Sequence, residues 1–269
     1  LVGGTWSMST KPYFHQNRST VTSTSLDSSS TLLCIGFSTG IFGLYELPTV
    51  SNIHTLSISN SSIRTTAISS NGEWMSFGCP THHQLLVWEW KSESYVLKQQ
   101  GHAYAMTTME YSPDGSVIGT GGEDGKVKLW NVDSGFGYVT FSPPHTAPVT
   151  GLAFASQKVL LSASLDGTIR AHDLVRYKQF RILTTPTPTQ IHCLAVDSSG
   201  EMVVGGTHDG SSSNFDIFVW SLQTGKILDV LSGHTGPVAG LAFHPSGGIL
   251  ASASWDESVQ LWDLYKRDS

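Results

Sequence analysis

One hairpin is written into this chain several times. GTGGEDGKVKLWNV (Gly119–Val132), LSASLDGTIRAHDL (Leu161–Leu174) and LASASWDESVQLWDL (Leu250–Leu264) share one layout: an apolar strand, a tight turn and a second strand. The residues that close these hairpins, Tyr45, Trp88, Trp130, His172, Trp220 and Trp262, are separated by 43, 42, 42, 48 and 42 positions. A chain with such a period is either stacking copies of one supersecondary unit or copying a reactive loop.

The period decides for stacking. Repeats of about 40–45 residues ending in Trp-Asp build four-stranded blades of a WD-repeat propeller. Stretches such as VKLWNV alternate with period two, and Asp114-Gly115 and Asp124-Gly125 supply the turns. One such sheet cannot bury both faces alone, whereas neighbours in a ring bury each other. Charged residues make up only 13% and Gly 27 of 269, which suits a sheet-rich interior. The expectation is an all-β WD-repeat β-propeller over residues 20–269, with about six recognisable four-stranded blades after a poorly defined segment at 1–19. Seven blades would need about 294 residues, so either Leu1–Thr10 supplies a closing strand or the chain is a fragment of a seven-bladed ring, which the family resemblance described below favours.

Polar residues keep register with the hairpins. His102, Asp124 and Trp130 are spaced 22 and 6; His145, Asp166 and His172 are spaced 21 and 6; His234, Asp256 and Trp262 are spaced 22 and 6. Thr120, Ser162 and Ser252 lie four residues before the respective Asp; two residues before it, Gly122 breaks a series that Ser164 and Ser254 keep. These sets resemble the structural tetrad of WD-repeat blades, in which a buried imidazole has both nitrogens satisfied, by Asp on one side and a hydroxyl shared with the indole on the other. The competing reading is a Ser–His–Asp triad. Three copies on three blades speak against it, since an enzyme needs one convergent site, and no catalytic residue is expected. In the second unit His82 takes the place of the turn Asp. In the fifth, PTPTQ (Pro186–Gln190) replaces the Gly-His, and a Ser-rich insertion follows Asp209 and is expected to protrude.

Other patterns are weaker. GFSTG (Gly36–Gly40) matches a nucleophile elbow, but IFGLYEL follows it and reads as a strand rather than the required helix. Cys79, His82 and His83 lack a further ligand at zinc-type spacing, so neither metal nor cofactor is expected. SLDGT (Ser164–Thr168) has only part of the Asp-box of sialidase propellers, and GTGGEDG (Gly119–Gly125) lacks the Lys-Ser/Thr and helix of a phosphate loop.

Net charge is −6, so bulk attraction to nucleic acid is not encoded. The exception is RAHDLVRYKQFR, where Arg170, Arg176, Lys178 and Arg181 stand among Tyr177 and Phe180. Aromatics among cations suit contact with RNA or a partner; the bland reading is a solvated outer strand on which Arg176 and Lys178 share one face. No apolar run approaches the roughly 20 residues of a membrane span, and no signal peptide opens the chain. Cys34, Cys79 and Cys193 are few, odd in number and far apart, and read as reduced and intracellular. The sequons at Asn17 and Asn60 read as unused.

The blocks QLLVWEWKSESYVLKQQGH (Gln84–His102), SPDGSVIGTGGEDGKVKLWNVDSGFGYVTF (Ser112–Phe141) and DVLSGHTGPVAGLAFHPSGGILASASWDESVQLWD (Asp229–Asp263) resemble the periodic tryptophan protein 2 family, from about Ile35 to Leu264. The resemblance implies a nucleolar protein with two tandem propellers, of which this chain corresponds to the start of the second. It also implies a scaffold in the UTP-B subcomplex of the small-subunit processome, working in 18S rRNA maturation. The partners implied are other UTP-B subunits and processome proteins, with pre-ribosomal RNA or a small nucleolar ribonucleoprotein touched directly or through them; no small-molecule substrate and no membrane is implied. A generic WD-repeat adaptor, such as a ubiquitin-ligase substrate receptor or signalling scaffold, shares the fold, but has no reason to share the block Gln84–His102. A propeller enzyme would need carboxylates or a metal converging on the central channel, and the repeats show none.

Overall fold

The computed structural model describes residues 14, 19–79, 83–208 and 215–264. The expected insertion after Asp209, the position of His82 and a closing strand from Leu1–Thr10 lie outside the described residues. Two compact units are present, Ser7–Thr140 and Phe141–Ser269.

In the first unit three antiparallel sheets follow one another. They are β1 (Val21–Leu26), β2 (Leu32–Phe37), β3 (Ile41–Glu46) and β4 (Ser51–Ser57); then β5 (Thr65–Ile68), β6 (Trp74–Cys79), β7 (Gln84–Glu89) and β8 (Ser94–Gln100); then β9 (Met106–Tyr111), β10 (Val117–Gly122), β11 (Val127–Asn131) and β12 (Gly137–Thr140). Each sheet keeps chain order, so every connection is a hairpin.

The second unit repeats the plan. Its sheets are β13 (Val149–Ser156), β14 (Val159–Ser164), β15 (Thr168–Asp173) and β16 (Lys178–Thr184); β17 (Ile191–Val196), β18 (Met202–Thr207), β19 (Phe215–Ser221) and β20 (Ile227–His234); and β21 (Val238–Phe243), β22 (Ile249–Ser254) and β23 (Val259–Asp263). Five sheets have four strands, and the sixth has three among the described residues. This is the strand plan of a WD-repeat propeller fragment.

Burial follows strand position. In the first five sheets the second and third strands are covered on both faces, so LLCIGF and QLLVWE read as near-continuous apolar runs instead of alternating ones. The fourth strand is open: Ser51–Ser57 has no buried residue. Within each unit apolar layers form between consecutive sheets. Phe42, Leu44, Met75, Phe77, Leu86 and Trp88 pack between the first and second; Ile169, Ala171, Leu183, Val203 and Trp220 pack between the fourth and fifth. Fully burying each of the larger side chains stabilises by about 1.5–3 kcal/mol.

First strands of successive sheets adjoin, β1 to β5 to β9 in one unit and β13 to β17 to β21 in the other. A side chain near the start of such a strand reaches the backbone of the next sheet. Thr22 Oγ1 donates to Ile63 O at 2.6 Å, Thr150 Oγ1 to Ile191 O at 2.7 Å, and Cys193 Sγ to Val238 O at 3.4 Å. GFSTG is a β2–β3 hairpin with no helix after it. Gly40 holds φ at 78°, where a Cβ would lie 2.0 Å from Ser59 O, so only glycine fits.

Candidate functional site

The spacing of 22 and 6 brings four side chains onto one line in the third sheet. Trp130 Nε1 donates to Thr120 Oγ1 at 2.9 Å, and Thr120 Oγ1 stands 2.9 Å from His102 Nε2. His102 Nδ1 lies 2.9 Å from Asp124 Oδ1. A carboxylate only accepts, so the imidazole proton sits on Nδ1 and Nε2 accepts from the hydroxyl. Asp124 also accepts the backbone N–H of Ala103 and Lys126. Burial pushes its pKa up, but the His102 ring and these N–H groups outweigh that and hold it low. Burial likewise keeps His102 below the usual histidine range. Gly122 has a local cause: a Cβ there would meet both His102 Nδ1 and Asp124 Oδ1 at 2.6 Å.

The sixth sheet repeats the line: Trp262 Nε1 to Ser252 Oγ at 2.8 Å, Ser252 Oγ to His234 Nε2 at 2.7 Å, and His234 Nδ1 to Asp256 Oδ2 at 2.8 Å. In the fourth sheet Asp166, His145 and Ser162 are joined by contacts of 2.8 Å each, and His172 Nε2 takes the indole's place at 2.9 Å from Ser162 Oγ. Thr120 and Ser162 are 0% exposed and Ser252 1%. A hydroxyl sealed between an imidazole and a second ring N–H meets no substrate.

The basic segment is divided by the structure. Arg170 is not on a solvated outer strand. It lies in β15, 9% exposed, with Nη1 donating to Pro143 O at 2.9 Å and Pro144 O at 3.0 Å, and Nη2 3.6 Å from Asp166. Arg181 is half-buried and donates to Thr224 O at 3.2 Å, tying β16 to the turn of the next sheet. Arg176 and Lys178 are exposed, but they do not share a strand face: Arg176 lies in the β15–β16 turn, its N–H bound to Asp173 Oδ1, and Lys178 opens β16. Tyr177 and Phe180 are each 48% exposed.

Cys34, Cys79 and Cys193 are all free and buried. Burial raises their thiols, that of Cys193 to about 12. His83 lies in a turn with φ 49°.

Sequence reasoning did not single out one further group. His192 and His208 have ring centroids 5.1 Å apart, and Trp255 stands edge-on to both, at 6.5 and 5.6 Å. A signal was present: Trp255 fills the residue before the tetrad Asp, where the other two hairpins have Glu123 and Leu165.

A family model, the WD domain G-beta repeat, matches residues 93–131, 138–173 and 225–263. The chain is 54% identical over 240 residues to a periodic tryptophan protein 2 homolog of Dictyostelium discoideum, covering 88% of the chain and 26% of that protein. It is 55% identical over 245 residues to the Mus musculus homolog (91% and 26%), and 46% identical over 262 residues to periodic tryptophan protein 2 of Saccharomyces cerevisiae (97% and 28%). The chain thus spans about a quarter of the length of these relatives.

Proposed function

The chain belongs to the periodic tryptophan protein 2 family as a segment of it, and from that premise we propose that it is a non-catalytic scaffold of ribosome biogenesis. In this reading its blades hold assembly factors of the UTP-B subcomplex on pre-ribosomal RNA in the nucleolus, for maturation of 18S rRNA. The segment corresponds to the start of a second propeller. The observation that carries the reading is the relationship to those homologues along nearly the whole chain. The buried hydroxyls of the three polar lines support its non-catalytic part, because the only Ser–His–Asp sets the repeats suggest are spent inside the sheets. Arg176 and Lys178, exposed beside Tyr177, are the cations of the basic segment offered to RNA or a partner.

The test is depletion of the full-length protein in cells that express it, with complementation. Precursors of 18S rRNA should accumulate and the protein should co-purify with UTP-B proteins and precursor rRNA. Intact 18S maturation after depletion would overturn the reading.

A further inference from the structure

Trp255, in the β22–β23 turn, is 63% exposed. It is not a stray apolar residue. Its indole stands edge-on to His192, in β17, and to His208, which follows β18, while most of its surface is open to solvent. Backbone bonds brace its support: Trp255 N–H donates to Pro237 O at 3.0 Å, and His208 N–H to Gln190 O at 2.9 Å. An exposed indole packed edge-on against two imidazoles is the kind of anchor that dominates protein interfaces.

The surrounding charges select among ligands for such a face. The turn segments 185–190, 235–237 and 255–258 contain no Lys or Arg, while Asp256 and Glu257 follow Trp255 directly in its turn. Asp256 is held by His234, Thr235 and Ser258; Glu257 is exposed. A phosphate backbone would meet carboxylates and no cation here. A guanidinium would find an indole face to stack on and a carboxylate at its edge, and planar Arg suits that pairing better than Lys. Burial and the neighbouring His208 keep the His192 ring below the usual histidine range, so it adds no repelling charge at neutral pH.

We infer that the Trp255–His192–His208 cluster, with Glu257, is a docking site for an arginine side chain in a flexible segment of a partner protein. The inference rests on the scaffold reading in assuming that the partner is a protein held by this chain.

The test uses the full-length protein and three fluorescent probes followed by anisotropy: a short Gly-rich peptide with a central Arg, the same peptide with Gln in its place, and oligouridine. The Arg peptide should bind at least about tenfold more tightly than the Gln peptide. Trp255→Ala should weaken it about tenfold, Trp255→Phe much less, and Glu257→Gln about threefold, with urea midpoints unchanged. Equal binding by wild type and Trp255→Ala, no binding of the Arg peptide, or oligouridine binding that Trp255→Ala abolishes would each overturn the site. If the site fails while the protein still co-purifies with precursor rRNA, the scaffold reading stands. Loss of that co-purification with a working Arg site would sink the scaffold reading alone.

Discussion

Ser162 Oγ stands 2.9 Å from His172 Nε2, in the fourth sheet, where Thr120 and Ser252 instead face an indole. The proton inventory follows from Asp166. Its carboxylate takes the Nδ1 proton of His145, so Ser162 gives its own proton to His145 Nε2 and accepts one from His172 Nε2. His172 Nδ1 is left buried without a hydrogen-bond partner, and the His172 and Phe141 ring centroids are 4.3 Å apart. Burial, then the nearby His145 and Arg170, hold the His172 pKa down at about 3.

That depression has a definite sign. An unfolded histidine binds its proton near pH 6.5, so between about 6.5 and 3 the unfolded chain carries more protons than the folded one. The stability tied to His172 is therefore fully present above pH 6.5 and falls on acidification, by up to about 1.4 kcal/mol per pH unit. Asp166, held low by its hydrogen bonds against the raising effect of burial, adds its loss only below the ordinary aspartate range. His172→Trp supplies an N–H to Ser162 with no titrating nitrogen. Urea midpoints from pH 7.5 to 5 should fall less steeply for this variant than for wild type. Equal slopes would mean that His172 takes up its proton while folded.

Backbone conformation gives a second expectation. A Cβ on Gly40 would run into Ser59 O at 2.0 Å with φ already at 78°, whereas one on Gly240 meets nothing within 4 Å. Gly40→Ala should destabilise by about 2 kcal/mol or more. Gly240→Ala should leave stability unchanged or raise it by about 0.5–1 kcal/mol. Urea unfolding of the two variants reads this directly, and similar midpoints for both would count against the turn geometry.

The strand plan was legible because it is local. The six hairpin-closing residues fall in β3, β7, β11, β15, β19 and β23, each one residue before the strand's end, and period-two alternation with turn dipeptides suffices to place them. The fate of Arg170 was not legible. The carbonyls that hold it come from Pro143 and Pro144, 27 and 26 residues earlier, and strand alternation carries no word of such a long-range approach. The role of Trp255 was not legible for a different reason: its turn position varies between hairpins, with Glu123 and Leu165 in the others, and only the fold brings His192 and His208 to it.

The division of the basic segment is testable on stability alone. Arg170→Met removes two charge-assisted hydrogen bonds, to Pro143 O and Pro144 O, and should cost about 1–3 kcal/mol. Arg176→Ser and Lys178→Ser, both at exposed positions, should stay within about 0.5 kcal/mol of wild type. Thermal or urea unfolding that ranks the three together would contradict the placement.

Shared hydroxyls join imidazole to indole in the third and sixth sheets, and Ser252 is the sharpest place to measure one. Native-state hydrogen exchange of the β22–β23 hairpin in the full-length protein, compared among wild type, Ser252→Ala, Trp262→Phe and the double variant, reports the local free energy. Ser252→Ala leaves the Trp262 N–H and His234 Nε2 without partners and should cost about 2–4 kcal/mol, and the two substitutions should couple by about 0.5–1.5 kcal/mol. Additive effects with no coupling, or a Ser252→Ala cost below about 0.5 kcal/mol, would show that the hydroxyl does not hold the sheet together.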